Sequence, residues 1–178
     1  MTAGRSDAWR LPPRWVLLVA VALIAMAEVS GAAMARFKLD LARWARGTML
    51  ARPAVHGFVG VRDVDEQVID EALVKFDGGL RLFHLHGEGM GTVIAVTSMV
   101  AATFVARDAL RRAITALIAV GGGLYPFGYL VWSGLIPFYG IENGRRVAEW
   151  LVWIPFGGAA IVGVWLLTGS LALGLVRR

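Results

Sequence analysis

The 178-residue chain contains no cysteine, which excludes disulfides, iron–sulfur clusters, thiolate metal sites and cysteine nucleophiles together. Charge is scarce as well: Asp, Glu, Lys and Arg make up 17% of the residues, against about 25% in an ordinary soluble domain. Histidine and tyrosine occur three times each, so a metal would have few donors beyond the carboxylates and methionines. The chain has no serine-hydrolase elbow, no His-Glu-x-x-His helix and no zinc-deaminase pattern. The run Gly121-Gly122-Gly123 lacks the lysine and the strand context of a phosphate loop. Glycine-rich stretches do not recur at a fixed period, and no internal repeat is present.

What is abundant is apolar surface. Hydrophobic residues form 57% of the chain and the mean hydropathy is +0.64, a composition that predicts an all-α integral membrane protein. The length accommodates roughly four spans of ~20 residues, each crossing a ~30 Å hydrocarbon core. That leaves one modest extramembrane segment and no space for a large catalytic domain. The net charge of +5 would suggest nucleic acid in a soluble protein, whereas here its placement sets orientation. The expected partners are the lipid bilayer and other membrane subunits or further copies of the chain, with no nucleic acid.

The periodicity and the apolar runs predict a four-helix transmembrane bundle with spans at 15–35, 82–106, 113–139 and 150–176. Pro12-Pro13 signals the start of the first span. Arginines cluster in the tail 1–14 (Arg5, Arg10, Arg14), in the 107–112 loop (Arg107, Arg111, Arg112) and at Arg177-Arg178, opposed only by Asp7 and Asp108. Short arginine-rich segments stay inside, so both termini are expected in the cytoplasm of a bacterial-type inner membrane. The Ile141 to Glu149 loop, with balanced charge, then falls outside. A competing reading treats Trp15 to Ala27 and Ala33-Met34-Ala35 as a cleaved secretory signal; Glu28 is out of character for one.

The extracytoplasmic segment 36–81 has near-balanced charge and reads as short amphipathic helices rather than disorder. Phe37 to Leu50 is an interfacial helix or an extension of the first span. Asp63 to Lys75 carries Val64, Val68, Ile69 and Leu73 at helical spacing, Asp63 and Glu66 resemble a capping box, and Gly78-Gly79 is expected to end the helix.

The sequence His84-Leu85-His86-Gly87-Glu88-Gly89-Met90-Gly91 puts two imidazoles, a carboxylate and a thioether at the head of the second span. Polar groups there are costly unless they have partners or a task. At 1.5 Å per residue they lie within roughly 10 Å of the outer interface, and Glu28 on the first span is about 10 Å deep on the same side. In a continuous helix His84 and Glu88 share one face, and His86 and Met90 another. If the chain is still extended before Gly87, both imidazoles point the same way.

Such a set suits a transition metal, copper before zinc or iron, since imidazole binds all three and a thioether favours Cu(I). The candidate ligands are His84, His86 and Glu88, with Glu28, His56 and Met90 in support. A single haem is a further option and needs His56 or a non-His ligand opposite His84 or His86. Glu28, buried in an apolar span, is expected to be protonated, to ligate metal or to pair with Arg81. Tyr125 and Tyr129 share a face near Pro126 and offer hydroxyls to the same zone, while Trp132, Trp150 and Trp153 fit an aromatic belt.

Three functions are compatible with these residues: metal handling or an accessory role in a membrane redox complex; a structural or assembly subunit without a metal site; and a proton or solute pathway through Glu28, Glu88 and the tyrosines. Under the second, Gly87, Gly91 and Ala95 form a small-residue stripe for helix packing. The third is weakened by the sparse polar continuation, Thr97, Ser98, Thr103 and Thr115, toward the cytoplasm.

Overall fold

Long stretches of Leu, Ala, Val and Ile without an internal breaker favour helix, and helix dominates the computed structural model, which describes residues 9–174. The expected orientation signals Arg5, Asp7, Arg177 and Arg178 lie outside the described residues. Helix α1 spans Arg14–Leu50, α2 Pro53–His56, α3 Arg62–Phe104, α4 Asp108–Leu124, α5 Phe127–Tyr139, α6 Ile141–Ala148 and α7 Gly158–Ala172. A π-helical stretch, Glu149–Gly157, joins α6 to α7. No β-strand forms among the described residues.

These elements stack into four antiparallel columns: α1, α3, α4 with α5, and α6 with the π stretch and α7. The antiparallel register of α1 and α3 is visible in its cross-links. Arg46 pairs with Glu66, Lys38 with Asp77, and the Arg10 amide donates to Thr103 Oγ1. With 37 residues in α1 and 43 in α3, the two helices are about 55 and 65 Å long. Both overshoot a ~30 Å hydrocarbon layer. Phe37 to Leu50 is therefore the continuation of the first expected span, and the 36–81 segment is mainly the turn-proximal part of the α1–α3 helical hairpin.

Among the described residues three stretches are long and apolar enough to cross a membrane: Arg14–Leu50, Asp108–Tyr139 and Ile141–Ala172, whose most apolar parts have mean hydropathies of 2.3, 1.6 and 1.9. The expected second span lies within α3 and is not among them. Its Glu88, Thr92, Thr97, Ser98 and repeated glycines dilute the apolar signal.

Two expected boundaries are corrected. Gly78-Gly79 does not end a helix, because α3 runs through it. Gly79 is instead a packing position: a side-chain carbon there would overlap the Ser133 hydroxyl, which donates 3.0 Å to the Phe76 carbonyl. The expected Ile141 to Glu149 loop is helical. Gly140, at φ 81°, makes the turn, and Arg145 bridges Glu142 and Glu149 at 3.8 and 3.2 Å along the helix surface.

Two apolar cores result. One joins Val16, Leu23, Ile94, Ile114, Ile118 and Leu167 at the arginine-rich end. The other joins Ala45, Met49, Ile69, Phe76 and Ile136 at the hairpin end. His84, His86, Tyr125 and Tyr129 fall between them.

Candidate functional site

The level between the two cores is built from α1 near Ala27, α3 from His84 to Glu88, Tyr125 to Tyr129 of the third column and Trp153 of the fourth. The third and fourth columns are both irregular here. Tyr125-Pro126 interrupts α4 and α5, and Pro155 lies in the π stretch. Proline removes a backbone donor and opens the ladder, and π-helical turns recur at functional sites.

Because α3 is continuous through Gly87, the extended arrangement of the two imidazoles does not form, and they point at different helices. His84 faces α1. Its Nδ1 lies 2.9 Å from the Ala27 carbonyl oxygen, an acceptor, so Nδ1 carries the proton. The same nitrogen is 3.5 Å from Glu88 Oε1. The ring fills the space opposite Gly31, where a side-chain carbon would lie 2.9 Å from Cε1 and 3.2 Å from Nε2.

His86 faces α5. Its Nδ1 donates to the Leu82 carbonyl at 2.9 Å, which leaves Nε2 as an acceptor in the neutral ring. Tyr129 supplies that proton: its hydroxyl is 3.3 Å from Nε2 and 3.1 Å from the Tyr125 hydroxyl. The donor sequence is thus Tyr125 to Tyr129 to His86. Ring contacts consolidate the group, with centroids 4.6 Å apart for His86 and Tyr129 and 5.0 Å for Tyr129 and Trp153.

The remaining candidates are dispersed. Met90 packs against Gly122, where a side-chain carbon would meet Cε at 2.7 Å, and belongs to the apolar core. His56 sits at the hairpin end, with Nε2 3.2 Å from the Pro137 carbonyl and its ring stacked on Phe58. Glu28 is exposed on the outside of α1 rather than buried. Its suggested partner Arg81 pairs with Asp77 at 2.8 Å. Among the described residues no three His, Asp or Glu side chains converge as a metal-binding group.

Two contributors leave almost no local signal in the sequence. Trp153 is more than a belt residue: its buried Nε1 has no hydrogen-bond acceptor among the described residues and presses on Gly128, where any side-chain carbon would collide with it. The π stretch was signalled only by Pro155 ahead of Gly157-Gly158. Small residues complete the contact between α1 and α3, since a side-chain carbon at Gly87 would lie 2.7 Å from Ala27 Cβ and one at Gly91 2.8 Å from the Ala20 carbonyl. No family model, no curated protein and no solved structure matches this chain.

Proposed function

We propose that the chain is a multi-pass protein of a bacterial-type inner membrane, with four spans, both termini cytoplasmic and the α1–α3 hairpin extended outside. In this reading it serves as an accessory or assembly subunit of a membrane complex, and its polar layer locks the helices together rather than carrying a reaction. The observation that supports this most is the divergence of the imidazoles. His84 is engaged by the α1 backbone at 2.9 Å, and His86 by Tyr129 of α5 at 3.3 Å. Each bond ties α3 to a different column, as polar side chains between membrane helices commonly do.

A second reading keeps a metal, copper before zinc or iron, at the outer-leaflet level, with a single haem as a further form. It is favoured by one feature: a backbone carbonyl orients the His84 Nδ1–H as the outer partner of a metal-ligating histidine does, which leaves Nε2 as the ligating nitrogen. His86 Nε2 would have to exchange Tyr129 for the ion, and further ligands would have to come from rearranged Glu28, Met90 or His56 or from a partner subunit.

Elemental mass spectrometry and a visible spectrum of the protein purified in mild detergent separate the two readings. The accessory reading expects no stoichiometric metal and no Soret band in wild type or in His84→Ala/His86→Ala. Near-stoichiometric copper, zinc or iron in wild type, lost in the double variant, would establish the metal reading instead.

A further inference from the structure

At the end opposite the hairpin, a cavity of about 510 Å³ opens between the segment leading into α1 and the start of α4. Its lining is divided in character. Arg10, Arg111 and Arg112 supply cations, whereas Trp15, Ala102 and Ala116 supply an apolar wall. The segment is held in place: the Arg10 amide donates to Thr103 Oγ1 at 2.9 Å, and Trp9 packs edge-on against Phe104 with centroids 5.7 Å apart. The cavity is therefore built by contacts 93 residues apart.

The cations differ in how far they are neutralised. Arg111 is half-buried and committed, with Nη2 2.7 Å from Asp108 Oδ1 and Nη1 3.3 Å from the Val105 carbonyl. Arg10 and Arg112 are exposed and form no ion pair with the described residues. Two exposed guanidiniums above an apolar wall match a ligand with an anionic head and a hydrocarbon body. Trp15 at 44%, Leu18 at 69% and Val21 at 64% exposure continue that wall along α1, as a surface facing acyl chains would.

We infer that this cavity binds the headgroup phosphate of an anionic phospholipid, with Arg10 and Arg112 on the phosphate and an acyl chain against Trp15. Basic pockets between helices at a membrane surface suit this chemistry, and guanidinium is well matched to phosphate. The inference rests on the membrane-spanning reading and is independent of the role of His84 and His86.

Native mass spectrometry of the detergent-purified full chain, titrated with phosphatidylglycerol or phosphatidylcholine, tests it. Wild type should retain phosphatidylglycerol in preference to phosphatidylcholine. Arg10→Gln/Arg112→Gln should bind it on the order of 30-fold more weakly, at about fivefold per basic side chain. Arg145→Gln/Arg146→Gln, at the other side of the bundle, should bind as wild type. If the first variant proves unstable by circular dichroism, Arg112→Gln alone, on an exposed helix surface, should still lose about fivefold. Equal retention by a folded Arg10→Gln/Arg112→Gln or Arg112→Gln variant, or equal affinity for phosphatidylcholine, would overturn the inference. Displacement of the lipid by millimolar inorganic phosphate would also overturn it, by identifying a free-phosphate site. Stable incorporation into lipid nanodiscs is checked separately, so that failure of the membrane-spanning reading is distinguishable from failure of the lipid site.

Discussion

His84 and Ala27, 57 residues apart in sequence, are joined by a 2.9 Å hydrogen bond from the imidazole Nδ1 to the backbone carbonyl, and Gly31 leaves the space that the ring occupies. The pairing explains why a costly polar side chain stands in this stretch of α3 and why α1 carries a glycine opposite it. His84→Ala should lower stability by about 1 kcal/mol, typical of an interhelical hydrogen bond. Gly31→Ala should lower it by a similar amount, by pushing the ring off its acceptor. The two losses should be strongly non-additive, because alanine at position 84 vacates the space that Gly31→Ala needs. Melting temperatures of the two single variants and the double variant provide the check, and simple additivity would count against the pairing.

The glycines of α3 should not respond alike. Gly91 faces the Ala20 carbonyl and Ile24, whereas a side-chain carbon at Gly89 would meet nothing within 4 Å. Gly91→Ala is expected to cost roughly 1–3 kcal/mol through overpacking. Gly89→Ala should be neutral or slightly stabilising, given the helix propensities. Thermal unfolding in detergent distinguishes them, and equal effects would mean that α1 and α3 do not pack in this register.

The hairpin outside the proposed spans should be sensitive to acid. Arg46 hydrogen-bonds both Glu66 oxygens, at 2.5 and 2.7 Å. These bonds, chiefly, hold the Glu66 carboxyl below its ordinary 4.5, with the charges of Arg46 and Arg62 adding to the effect and partial desolvation opposing it. A lowered folded-state pKa stabilises the fold fully above the unfolded value and is lost as pH falls through the folded one. The contribution is modest because both side chains are more than a third exposed. Wild type should therefore melt slightly above Glu66→Gln at pH 7, with the gap closing below pH 4.5. A gap that persists unchanged at pH 3 would show that the carboxylate charge is not responsible.

Much of this arrangement was legible in the sequence, and the remainder was hidden for identifiable reasons. Helical spacing placed Tyr125 and Tyr129 on one face, and their hydroxyls meet at 3.1 Å. The same spacing sent His84 and His86 to opposite sides once α3 proved continuous. Gly78-Gly79 misled because glycine permits both helix termination and close approach, and only the position of Ser133, 54 residues beyond Gly79, decides between them. Glu28 misled for a related reason: hydropathy gives depth along a helix but not the direction in which a side chain faces. Trp153 resembles a belt residue in sequence because its contact with Gly128 depends on the register of two irregular columns, which no local pattern encodes.

Tyr129→Phe isolates the second tie. It keeps the ring packing on His86 and Trp153 but removes the hydroxyl that serves His86 and Tyr125. The expected loss is about 1 kcal/mol, and it should largely vanish in a His86→Ala background, apart from the share due to Tyr125. An undiminished loss in that background would assign the hydroxyl another partner.

The most direct measurement is the melting temperature of wild type and of His84→Ala/His86→Ala, each with and without a strong copper and zinc chelator. If the imidazoles hold helices together, the double variant melts several degrees below wild type and the chelator moves neither, since a ligand that is not bound cannot contribute by mass action. If the chelator lowers wild type to the variant's value and leaves the variant unchanged, the histidines hold a metal, and the helix-locking interpretation is wrong.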